Sequence, residues 1–148
     1  MRALGLDVGE KRIGLAVGDT ETTLAVPADA VVRDGTAQDF TRVLGQALAH
    51  GTDALVVGMP WSLDGRSGPQ AKVVATFVKQ LRELTRLPVA TWDERLTSVE
   101  ADHRLRGVQS KGRGKNAKPP AGAQDSVAAS IMLQAYLDAQ HRRRESRT

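Results

Sequence analysis

Three residues, Gly9, Glu10 and Lys11, separate two apolar runs, residues 2–8 (RALGLDV) and 12–18 (RIGLAVG). A link that short cannot carry a crossover, so the runs must pair as an antiparallel hairpin. A third apolar stretch, 24–33, supplies another strand, weakened by Pro27. From residue 36 the period changes. Phe40, Val43, Leu44, Ala47 and Leu48 fall on one face of a helix over 36–50, and Gly51 is its stop. Residues 53–58 (DALVVG) then read as a strand buried on both faces, and therefore parallel to its neighbours. A Gly/Pro-rich segment, 58–69, leads into a second amphipathic helix over 70–86, through Val73, Val74, Phe77, Val78, Leu81 and Leu84. Residues 88–92 are a short strand. Thr97 or Ser98 caps a helix to Arg106. A final helix covers 123–141, with Val127, Ile131, Leu133 and Tyr136 available for burial. The order βββαβαβαα predicts an α/β sheet that begins with an antiparallel hairpin.

At 148 residues the chain suits one domain, 1–141, followed by a basic disordered tail, 142–148. It has no cysteine, which excludes disulfides, thiolate zinc sites and cysteine nucleophiles together. His50, His103 and His141 show no metal-ligand spacing and read as surface residues. No apolar run approaches the roughly 20 residues of a membrane span. Charges at Asp7, Glu10, Lys11 and Arg12 are unlike a signal peptide, so the expectation is a soluble cytoplasmic protein without a membrane partner.

The net charge of +4 is unevenly spread. Residues 1–103 carry −3, residues 104–118 carry +6 with no acid, and residues 142–148 carry +3. A mildly acidic body with two basic segments suggests a polyanionic partner, nucleic acid or the ribosome, although a solubilising loop and tail would look the same. Residues 107–120 read as a flexible basic loop whose Lys111, Arg113 and Lys115 contact substrate phosphates. Five aromatics, Phe40, Trp61, Phe77, Trp92 and Tyr136, are too few for a base-stacking platform, so backbone contacts should dominate. Trp61 either stacks on a base or covers the core.

Three carboxylate positions stand at element ends. Asp7 closes the first strand, Asp93 and Glu94 follow the last strand, and Asp125 opens the final helix. If the first and last parallel strands are near each other, Asp7 and Glu94 share the carboxyl edge where such sheets hold ligands. A helix packed across that edge brings Asp125 beside them. Three close carboxylates repel unless a cation sits among them, and hard oxygen donors suit Mg²⁺ or Mn²⁺. Such ions activate water and stabilise the leaving oxygen of a phosphodiester. Each acid also has a plain alternative: Asp7 a turn cap, Asp93 and Glu94 a solvated loop, Asp125 a partner of the helix dipole. Arg12 and Arg95 adjoin these acids. They either grip a phosphate or form local ion pairs with Glu10 or Glu94.

Several motifs together resemble the YqgF/RuvX family. They are Gly5-Leu6-Asp7-Val8-Gly9 with Lys11-Arg12-Ile13-Gly14-Leu15-Ala16, Val57-Gly58-Met59-Pro60 with Asp64-Gly65 and Gly68, Asp93-Glu94-Arg95-Leu96-Thr97-Ser98, and Asp125-Ser126-Val127-Ala128-Ala129 with Leu133-Gln134-Ala135-Tyr136-Leu137. The likeness runs from residue 3 to about 138. It implies a three-layer RNase H-like fold: a five-stranded mixed sheet with an antiparallel N-terminal hairpin and helices on both faces. It also implies a metal-dependent nuclease, with Asp7, Glu94 and Asp125 as catalytic and metal-binding carboxylates and Asp93 as the alternative to Glu94. The family is associated with maturation of the 5′ end of precursor small-subunit ribosomal RNA and with Holliday junction resolution. The first would bring the ribosomal small subunit as a partner, the second a symmetric homodimer. The same fold occurs in sugar kinases and actin-like ATPases, but 148 residues leave no room for their second lobe. A non-catalytic nucleic-acid-binding module with this fold is the rival from another class, disfavoured because it has little need of acids facing phosphates.

Overall fold

A computed structural model of the protein describes residues 1–60, 68–96 and 122–146. The elements are β1 (Arg2–Val8), β2 (Arg12–Asp19), β3 (Leu24–Val32), α1 (Gln38–Ala49), β4 (Ala54–Met59), α2 (Pro69–Leu84), β5 (Val89–Asp93), a short 3₁₀ turn (Glu94–Leu96) and α3 (Ala123–Ser146). The sheet order is β3-β2-β1-β4-β5. β1 pairs antiparallel with β2 and parallel with β4, β2 pairs antiparallel with β3, and β4 pairs parallel with β5. The five-stranded mixed sheet with its leading hairpin is the expected one. Pro27 is tolerated because β3 is an edge strand. Trp61, the expected helix from Thr97 or Ser98 to Arg106, and the basic segment 107–120 with Lys111, Arg113 and Lys115 lie outside the described residues.

The two faces of the sheet differ in side-chain size. One carries Leu4, Leu6 and Val8 of β1, Ile13, Leu15 and Val17 of β2, and Leu55, Val57 and Met59 of β4. These pack on Val43 and Ala47 of α1 and on Val74, Phe77, Val78 and Leu81 of α2. The alternate positions are small. Ala3, Gly5 and Asp7 of β1 pair across the hairpin with Gly18, Ala16 and Gly14. That face takes α3, through Ala129, Met132, Leu133 and Leu137. The approach is close: a Cβ on Gly5 would lie 3.0 Å from Leu133 Cβ, and one on Gly18 would lie 2.7 Å from Leu137 Cδ1. The buried Gln134 of α3 fastens the edge strand by accepting a hydrogen bond from the Ala25 amide at 2.9 Å and donating to the Thr23 carbonyl.

α3 is preceded by Gly122, whose φ of +86° lies in the left-handed region that favours glycine. It ends later than expected. Residues 142–146, anticipated as disordered, continue the helix with Arg142, Arg143 and Arg144 exposed. Helix propensity for Arg and Glu is high, and an (i, i+4) pair between His141 and Glu145 at 3.0 Å adds to it. Among the described residues no helix is long and apolar enough to cross a membrane.

Candidate active site

Asp7 lies at the carboxyl end of β1 on the face that receives α3, and both neighbouring strands carry glycine beside it. On one side Asp7 pairs with Gly14 of β2. On the other is Gly58 of β4, next along from Val57, which pairs with Leu6. Each glycine makes room for a different acid. A Cβ on Gly14 would lie 2.0 Å from the backbone oxygen of Asp125, so the first turn of α3 rests directly on the hairpin there. A Cβ on Gly58 would lie 2.6 Å from Glu94 Oε1, so the Glu94 carboxylate occupies the space over β4. Asp7, Glu94 and Asp125 are thereby brought together from β1, the turn after β5 and the start of α3.

Their electrostatics bear the mark of crowding. Burial pushes the Asp7 carboxyl above its usual range; a hydrogen bond with Glu94 pulls it down and the charge of Asp125 pushes it up again. Glu94 is pushed up to about 8, first by burial, then by the charge of Asp7 and by acting as the protonated partner of their hydrogen bond, with Asp93 adding to it. Asp7 and Glu94 thus share a proton near neutral pH. Asp125 is compensated differently, by Arg12, whose Nε lies 3.0 Å from its Oδ2.

Asp93 does not join the acids. It pairs in register with Met59, one position along from the Trp92–Gly58 pair, so it belongs to the opposite face. It is gripped by Arg95, with Nε 3.0 Å from both carboxylate oxygens, and that hydrogen bonding holds its carboxyl below the usual range. Both arginines singled out in the sequence are ion-paired: Arg12 with Asp125 and Arg95 with Asp93. The residues missed from sequence are Gly14 and Gly58. The signal was present as the small–large alternation along β1 and β2, which distinguishes the close face from the thick one.

A divalent cation suits this donor set. Three carboxylates supply hard oxygens, two of them bind a proton more tightly than they should, and the glycines clear the space around them. Among the described residues no three acids or histidines stand at ligating spacing.

The family model described as "RuvX: Holliday junction resolvase" matches residues 1–139. The chain belongs to the RuvX family. A relative from Caldanaerobacter subterraneus subsp. tengcongensis, named "Putative pre-16S rRNA nuclease", is 39% identical over 140 residues, covering 95% of this chain and 98% of that one. One from Anaeromyxobacter dehalogenans with the same name is 40% identical over 138 residues, covering 93% and 97%. Among solved structures, Thermus thermophilus RuvC in complex with a Holliday junction substrate matches with a TM-score of 0.58 at 18% identity, covering 95% of this chain and 96% of that chain. The fowlpox virus resolvase bound to junction DNA matches with a TM-score of 0.58 at 15% identity, covering 95% and 99%. These two similarities establish the RNase H-like fold of RuvC-type resolvases. Membership of the RuvX family makes this chain a nuclease, a hydrolase of phosphodiester bonds that acts on nucleic acid.

The shared proton makes a stability prediction. Glu94 binds its proton up to about pH 8 in the folded state, against an ordinary value of 4.5. Over that window the unfolded chain has released the proton and the native one has not, so metal-free stability falls as pH rises from about 5 to about 8. Glu94→Gln removes the titrating group. Thermal melts in EDTA should therefore show the variant gaining on wild type across that range, by roughly 2 kcal/mol after solvent screening, and levelling off above it. Parallel wild-type and variant curves from pH 5 to 9 would show that Glu94 carries no such proton.

Proposed function

We propose that this nuclease cuts structured precursor ribosomal RNA on the 5′ side of the small-subunit rRNA. Asp7, Glu94 and Asp125 are its catalytic carboxylates, and Mg²⁺ or Mn²⁺ is held among them. The observation that carries the site is the pair of glycines, Gly14 and Gly58, flanking Asp7 and leaving space for Asp125 and Glu94. The rRNA substrate is supported by relatives near 40% identity over almost their whole length that are named for it. Such a substrate places the protein in the cytoplasm, beside the assembling small subunit.

Bound there, the cation would activate water and stabilise the leaving oxygen. The chain's own groups do the rest. Asp7 and Glu94 hold the proton that must leave before they present full negative charge. Arg12 places a guanidinium at the rim of the acids, where its unused N–H groups can take a phosphate oxygen. Arg95, which grips Asp93, would take a flanking phosphate. Lys111, Arg113 and Lys115 would bind flanking phosphates through charge, and the exposed Arg142, Arg143 and Arg144 near the end of α3 add further positive charge.

The description of the family as a Holliday junction resolvase favours a second reading, branched DNA cut by a homodimer. One experiment separates the two. The purified protein is incubated with a precursor rRNA fragment or with a four-way DNA junction, in Mn²⁺, Mg²⁺ or EDTA. Cleavage of the RNA in metal, none in EDTA and no symmetric nicking of the junction is the expected result. Paired junction cuts with intact RNA would replace the first reading by the second. Binding of both without cleavage in either metal would leave a nucleic-acid-binding module.

A further inference from the structure

We propose that Arg33 is a positioning residue for cleavage: it sets the conformation of the β1–β2 turn, and through that turn the placement of Asp7 and Arg12. The inference rests on Asp7 being a catalytic carboxylate.

The turn is short and exposed at Glu10 and Lys11, yet it connects two residues of the site. Asp7 lies two residues before Gly9, and Arg12 three residues after it. Inside the turn the Gly9 amide donates to the Arg12 carbonyl at 2.9 Å, and a Cβ on Gly9 would lie 2.7 Å from that oxygen. A loop this tight moves as a unit, so what fixes one of its carbonyls fixes both ends.

Arg33 fixes two of them. Its backbone amide donates to the Lys11 carbonyl at 2.8 Å, and its Nη1 donates to the Gly9 carbonyl at 2.8 Å. The guanidinium has no freedom of its own. Its Nε donates to Asp39 Oδ2 at 3.3 Å, and its central carbon lies 5.6 Å from the centroid of the Phe77 ring. Phe77 stacks on Phe40 with centroids 4.7 Å apart. Asp39 is almost fully buried and accepts from the Asp34 and Gly35 amides at 3.0 and 3.2 Å. The turn is thus tied to α1 through Asp39 and Phe40 and to α2 through Phe77. On the same side, Gln70 Nε2 reaches the Val8 carbonyl at 3.4 Å.

Arg33 is only 18% exposed, and removing charges from water this far is costly when packing alone is needed. An apolar side chain would fill the space over Phe77. It would leave the Gly9 carbonyl without its donor, and the buried Asp39 with the longer Arg42 pair at 3.6 Å in place of two cations. A planar fork with several fixed N–H groups can serve both partners and lie on the ring at once, which a lysine ammonium cannot.

The test uses the full chain, Mn²⁺ and the precursor rRNA fragment. Arg33→Met is expected to lower kcat by about tenfold or more, because angstrom-scale misplacement of reacting groups costs on that scale, with KM changed less than kcat. Arg33→Lys is expected not to rescue it. Val43→Ala, on the buried face of α1, serves as a control that lowers stability without touching the turn. It should keep its kcat at a temperature where both variants are folded. In the Arg12→Ala background the loss from Arg33→Met should shrink, since both act through one turn. Wild-type kcat in folded Arg33→Met, or an equal fall in Val43→Ala, would overturn the proposal. Should Arg33→Met fail to fold, Arg33→Lys is read in its place by the same criteria. Asp7→Asn runs alongside: if that variant cleaves, the site assignment itself is wrong, whereas an inert Asp7→Asn beside a fully active Arg33→Met rejects the role of Arg33 alone.

Discussion

Asp7→Asn is expected to abolish metal-dependent cleavage while leaving the fold as stable as wild type or more so. Asparagine keeps the shape of the side chain at the end of β1 and removes its charge. The charge is what a cation would be held by, and losing several kcal/mol of transition-state stabilisation amounts to about a thousandfold or more in rate. Stability moves the other way because burial and the charge of Asp125 both oppose ionisation of Asp7 in the metal-free protein. A neutral amide escapes both. Single-turnover cleavage and thermal melts in EDTA, run on the same preparation, check the two halves. Full activity would remove Asp7 from the reaction. Loss of activity accompanied by a large drop in melting temperature would mean that Asp7 is structural. Asp93→Asn is the natural companion, since Asp93 faces Arg95 on the other side of the sheet and should cost little activity.

Gly14→Ala is expected to cost both stability and activity, although it adds one methyl group. The added carbon would lie 2.0 Å from the Asp125 oxygen and 2.3 Å from its carbonyl carbon, both backbone atoms. α3 cannot simply lift away, because Leu133 and Leu137 already press on Gly5 and Gly18 further along. Overpacking of this kind costs about 1–3 kcal/mol, a fall in melting temperature of roughly 5 °C or more. The first turn of α3 must shift, taking Asp125 with it, which should lower cleavage by about a hundredfold. Gly58→Ala makes the contrast. Its Cβ would meet Glu94 at Oε1, the far end of a flexible side chain, at 2.6 Å. That carboxylate can swing aside, so activity should fall with little change in stability. Equal melting temperatures for Gly14→Ala and wild type would show that α3 does not rest on the hairpin as described.

The topology was legible because it follows from local rules. A three-residue link dictates the β1–β2 hairpin, and the unbroken apolar run of β4 dictates parallel, doubly covered pairing. Asp7, Glu94 and Asp125 were legible as acids at element ends. The choice of Glu94 over Asp93 was not, because neighbouring residues at a strand end point to opposite faces and the 3₁₀ turn decides which one returns to β4. The pairing of Arg12 was not legible either. Sequence proximity offered Glu10, whereas Arg12 meets Asp125, 113 residues away, only because α3 folds back over the hairpin. The tail was read as disordered from its charge, and the helix it extends overrode that. The sequence by itself determined the strand pairing, the alternation of helices and the kinds of group available for chemistry. The tertiary structure decided which acids meet, since that depends on the missing Cβ atoms of Gly14 and Gly58, whose effect exists only once α3 and the turn after β5 are laid on the sheet.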